Sequence, residues 1–117
     1  MPTIRDVVQL LASRDGVEAV VVLGPDGLTI DSKAMNGFDV DGLAALVPQV
    51  VNACHDLGSA ASRGTFGVAA VEYTGGLLVL AKLTSEALLA IAFLPESNIG
   101  GLLYELQRHR ASIAGLL

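Results

Sequence analysis

Little of this 117-residue chain is charged, and less of it is chemically reactive. Charged residues make up 16% of the sequence, where about a quarter is usual, while apolar ones reach 52%. Cys54 is the single cysteine, so an internal disulfide is excluded, which suits a reducing compartment. Seven bases stand against twelve acids, and a net charge of −5 argues against non-specific adhesion to nucleic acid or anionic lipid. The longest uninterrupted apolar run, Ala87 to Leu94, is far shorter than the roughly 20 residues needed to span a bilayer. Met1 to Asp6 has Arg5 and Asp6 where a secretory leader would have an apolar core. Neither common glycine pattern for phosphate binding occurs, so no nucleotide or other cofactor is expected. The expectation is a soluble, cytoplasmic protein without nucleic-acid or membrane partners.

What is present is apolar in a particular way. Thr65 to Tyr73 and Leu77 to Leu83 read as strands that are apolar on both faces, yet only Thr74, Gly75 and Gly76 separate them. So short a connection excludes a parallel crossover and forces an antiparallel hairpin. A sheet greasy on both sides needs cover on both sides. A domain of this length buries roughly two-thirds of the surface its unfolded chain exposes, which leaves a surplus of Val, Leu, Ile and Ala for an oligomer interface.

The rest of the chain supplies the cover. Thr3 to about Ser13 reads as a helix with Ile4, Val7, Val8 and Leu11 on one face and Thr3 as N-cap. Val17 to Leu23 and Leu28 to Lys33 form a hairpin around Gly24-Pro25-Asp26-Gly27, where proline presets a turn dihedral and glycine takes a left-handed position. A long helix follows from Val40 to about Ala61, capped by Asp39, which Pro48 is expected to kink or split. Ala87 to Phe93 completes a meander, and a last helix runs from about Asn98 to Leu116. The whole reads as one α+β domain over residues 1–117, ordered α-β-β-α-β-β-β-α, with profilin-like layering.

If the first and fifth strands pair, the sheet order is 2-1-5-4-3, and its edges differ. The second strand carries Thr29, Asp31, Ser32 and Lys33, polar residues that keep an edge solvated. The third carries Thr65, Phe66, Gly67, Val68, Ala69 and Val71, an apolar edge that is either covered by a loop or paired with the same strand of a second copy. Pairing is the favoured reading and gives a two-fold dimer with a ten-stranded sheet.

Candidates for chemistry are few. Cys54, His55 and Asp56 are consecutive, and helical neighbours point about 100° apart, so they cannot converge on one atom. Asp39-Val40-Asp41-Gly42 resembles the start of a calcium loop but lacks the downstream glutamate, and a helix cap explains it. His109, between Arg108 and Arg110, suits a helix end. No catalytic residue and no metal ligand is assigned. The central helix is more telling. Asp41, Ala45, Pro48, Gln49, Asn52, His55, Asp56 and Ser59 recur at three- and four-residue spacing, opposite a wide arc of Val40, Leu43, Val47, Val50, Val51, Cys54 and Leu57. The arc serves both the sheet and a neighbouring helix across the two-fold, with Leu43, Val47 and Val50 at that interface. The stripe is then left outward, with Ala45, Pro48, Gln49, Asn52 and Asp56 as docking positions or as a merely solvated face.

The opening helix, Gly16-Val17-Glu18-Ala19-Val20-Val21-Val22, the Gly24 to Ile30 hairpin, the small-residue-rich helix ending in Leu57-Gly58 and the final meander and helix together resemble the Roadblock family over essentially the whole chain. That family includes dynein light chains and MglB-like regulators. The resemblance implies a homodimer with joined sheets and paired central helices that binds a Ras-like small GTPase and modulates its hydrolysis, itself non-enzymatic. Arg63, just past the helix, is the one position to test as an arginine finger, a device MglB-like members do without. The alternatives are a passive scaffold that leaves GTP turnover unchanged and, from another class, a small-ligand sensor.

Overall fold

A computed structural model describes residues 2–117. The elements run α1 (Ile4–Ala12), β1 (Val17–Leu23), β2 (Thr29–Ala34), α2 (Val40–Ala60), β3 (Val68–Tyr73), β4 (Gly76–Thr84), β5 (Ala87–Phe93) and α3 (Gly100–Ala114). All strand pairs are antiparallel; β1 pairs with β5, and the order is β2-β1-β5-β4-β3, as expected for that pairing.

Local chemistry sets the element ends. The Thr3 hydroxyl accepts from the Asp6 amide while the Asp6 carboxylate accepts from the Thr3 amide, a reciprocal capping box that starts α1. Asp39 accepts from the Gly42 amide at 2.9 Å and starts α2. α3 begins two residues later than the sequence suggests: the Asn98 side chain takes the Gly100 amide in a local turn, and Ile99, in the cap position, has no side-chain acceptor. β3 likewise starts at Val68. Thr65 and Phe66 lie outside the ladder, and the amide of Lys82 reaches the Gly67 carbonyl as the last bond before the pairing.

The two faces of the sheet are covered by different helices. On one, Val20, Val22, Val79, Ala81, Leu89, Ile91 and Phe93 pack with Val8 and Leu11 of α1 and Leu102 and Leu106 of α3. On the other, Val21, Leu23, Leu80, Leu88 and Ala90 meet Ala44, Val47 and Val51 of α2. β5 is buried at every position, which is why it does not alternate.

Pro48 neither splits α2 nor ends it; the helix is continuous from Val40 to Ala60. Proline lacks the N–H that would have bonded the Ala44 carbonyl four residues earlier. That carbonyl lies under the β1–β2 turn: a Cβ built on Gly27, whose φ is +83°, would sit 3.3 Å from the Ala44 oxygen and 3.2 Å from the Ala45 Cα. The weakened rung of the helix is therefore braced by a turn that only glycine lets approach so closely.

Candidate functional site

α2 divides into three strips once it is seated on the sheet. At about 100° per residue, Ala44, Val47 and Val51 point to one side, and these are the three buried positions of the helix. Val47 is 1% exposed and packed on its own sheet, so its side chain has no surface left for a second chain; Leu43 is half-buried against the same cluster. Val50 alone of the three expected interface positions on α2 is well exposed, at 41%.

About 60° to 120° round from Val47 lies a second strip: Leu46, Val50, Ala53 and Leu57. Leu46 is 60% exposed and Leu57 70%, so this flank is apolar and open. Leu46 and Ala53 were absent from both the arc and the stripe in the sequence pattern. The signal was there, since 46, 50, 53 and 57 follow helical spacing, but angle alone does not tell which part of a broad apolar arc the sheet covers.

The opposite flank is the polar stripe. Ala45, Gln49, Asn52 and Asp56 are exposed, and Pro48 is half-buried. Pro48, Asn52 and His55 also border a cavity of about 180 Å³ beneath the helix. Cys54 is half-buried while His55 and Asp56 are exposed, in keeping with divergent side chains. Among the described residues no three His, Cys, Asp or Glu side chains gather closely enough to hold a metal ion.

The β3 edge adds a third surface. Ala69 and Val71 pair with Leu80 and Leu78 of β4, and Leu80 belongs to the cluster under α2, so these β3 residues face the α2 side. Val68, Ala69 and Val71 are half-buried, Phe66 packs against the α2 cluster, and Tyr73 is 56% exposed at the strand end. β3 pairs with β4 alone, and its other edge carries no strand among the described residues. Arg63 is exposed just past α2, with its amide on the Gly58 carbonyl.

A larger cavity, about 640 Å³, is a surface cleft lined by Arg14, Asp15, Glu96 and Asn98 among others. Arg14 there is already paired with Glu105. No buried side-chain polar atom among the described residues lacks a hydrogen-bond partner. No helix among them is long and apolar enough to cross a membrane.

The family model of the Roadblock/LC7 domain matches residues 3–93. Among solved structures, the chain is similar to a Roadblock/LC7 domain from Streptomyces avermitilis, with 22% identity, 93% of this chain and 92% of that one covered, and a TM-score of 0.80. It is also similar to Myxococcus xanthus MglB, with 18% identity, 97% and 93% coverage and a TM-score of 0.84. An MglB described as having a tetrameric arrangement gives 17% identity, 97% and 86% coverage and a TM-score of 0.82. A comparison with curated proteins gives no match.

Proposed function

This chain belongs to the Roadblock/LC7 domain family, and from that membership we propose that it acts as a homodimeric, non-enzymatic regulator which docks a Ras-like small GTPase on its paired central helices and adjusts GTP hydrolysis. The observation that carries the reading is the division of α2. One flank is apolar and open at Leu46, Val50 and Leu57, which suits a partner helix, and the other is polar and open at Ala45, Gln49, Asn52 and Asp56, which suits a docked protein. The unpaired β3 edge supports the dimer, because antiparallel pairing of two such strands extends both sheets into one of ten strands. Self-association is also consistent with the tetrameric arrangement described for one MglB.

In this reading the catalytic groups belong to the GTPase, and the dimer holds them in place. Repositioning a water-orienting residue needs no inserted arginine, and catalysis of phosphoryl transfer is largely a matter of positioning. The test is capture on the immobilised protein from lysate of its own source, with a GTP analogue or GDP present. A small GTPase retained only with the analogue is the expected result. Retention with either nucleotide replaces regulation by scaffolding, and retention of no GTPase refutes the proposal.

A further inference from the structure

Lys82 breaks the pattern of its own strand. On the face of β4 turned to α2, the row runs Leu78, Leu80, Lys82; Leu80 is 3% exposed, and Lys82 lies opposite Leu88 of β5, itself in the core beneath the helix. Lys82 is half-buried as a residue, but its ammonium, with three donors and no acceptor, still reaches solvent and has no counter-charge beside it unless an anion arrives. None is supplied internally. The two ion pairs among the described residues join Arg5 to Asp31 and Arg14 to Glu105, and Lys82 has no side-chain hydrogen bond among those residues.

Lys82 lines the cavity of about 180 Å³ beside the polar flank of α2. Asn52, His55 and Ser85 are its other polar walls, and Val51, Phe66 and Leu88 supply apolar ones. The His55 imidazole thus shares the space with the lysine, and no carboxylate lines it, although the chain as a whole carries −5. The cavity is smaller than the roughly 300–1,000 Å³ typical of small-molecule sites. Its scale is that of one inserted side chain.

We propose that this cavity is an anion-recognition pocket that takes the carboxylate of an acidic side chain from the docked partner protein. The identity of the occupant rests on the docking reading above. Lys82 supplies the charge, Asn52 and Ser85 supply donors, and the apolar walls pack the methylene stem of a glutamate. Once the stem is seated, the apolar walls exclude part of the water around the ion pair and strengthen it relative to one at an open surface. The pocket therefore selects for sign at the edge of the docking face.

The test titrates the isotope-labelled protein, without a partner, with N-acetyl-glutamate amide and with its glutamine counterpart at constant ionic strength. Amide shifts report the binding. Expected are saturable shifts at Asn52, His55, Lys82 and Ser85 with the glutamate compound, and binding about tenfold weaker with glutamine, as loss of a charge-assisted hydrogen bond predicts. Lys82→Met abolishes that preference while the remaining spectrum and the melting temperature stay unchanged, and Lys82→Arg retains it. Absent shifts, equal response to both compounds, or a preference that survives Lys82→Met overturns the proposal. Tighter binding of inorganic phosphate than of the glutamate compound overturns the carboxylate assignment. The two readings fail separately: a failed titration leaves docking intact, whereas normal GTPase binding by Ala45→Arg removes the docking reading and leaves the titration result standing.

Discussion

Replacing Leu46 by glutamate is the sharpest test of the dimer. Leu46 lies on α2 with 60% of its surface open, so its removal leaves no cavity in the protomer. Glutamate and leucine have similar helix propensity, so the helix itself is spared. Complete burial of a leucine is worth about 1.5–3 kcal/mol, of which the exposed part represents about 1–2 kcal/mol. A two-fold interface contains the position twice, so in the proposed dimer its burial would contribute about 2–4 kcal/mol. At 1.4 kcal/mol per factor of ten, the variant should raise the dimer dissociation constant about 30- to 1,000-fold. Desolvation of the introduced carboxylates pushes in the same direction. Sedimentation velocity over a concentration series measures the constant, and circular dichroism melting checks that the monomer folds. Asn52→Glu is the control, since it adds the same charge on the opposite flank and should leave the constant unchanged. A Leu46→Glu protein that dimerises like wild type, or equal weakening in both variants, refutes the assignment of the apolar flank.

Other expectations follow from single positions. Gly76→Ala places a Cβ against the Phe93 carbonyl at a φ of +148°, so urea unfolding should show a loss of about 2–4 kcal/mol, while Gly75→Ala, with open space around it, should change stability by less than about 0.5 kcal/mol. Asp39→Ala removes the acceptor for the Gly42 amide and should cost about 1 kcal/mol in the same assay, with Asp39→Asn recovering most of it. Ala45→Arg, at an exposed position of the polar flank, should abolish GTPase retention on the immobilised protein while the sedimentation coefficient still reports a dimer. Normal retention would reduce the stripe to a solvated helix face.

The topology was legible because it follows from a few strong constraints. Three residues between two strands that are apolar on both faces admit a single pairing, and the polar positions of β2 mark it as an edge. Thr3 and Asp39 were readable as caps because each has a short acceptor placed before an apolar repeat. Less legible was anything that depends on how pieces are seated. The sheet covers Val47 and leaves Leu46 bare, a distinction set by the position of the helix over the strands rather than by periodicity. That α2 runs through Pro48, with the Gly27 turn lying against the Ala44 carbonyl, is a contact between segments apart in sequence and carries no local signal. Lys82 passed unnoticed because a lone lysine in a strand carries no motif; only its apolar neighbours and missing counter-charge single it out.

The placement of β5 between β1 and β4 governs the order of events during synthesis. β1 is apolar on both faces, and its first hairpin leaves one of its edges waiting for β5, which lies more than sixty residues further along the chain. At about 5–20 residues per second, the ribosome exposes that edge for several seconds before the strand that closes it has been made. The central strand is thus also the last to arrive, and loop closure over this distance slows the final step. A chain interrupted before Ala87 would present two further open, greasy strand edges, at β1 and β4, and its fate would be aggregation rather than a smaller fold.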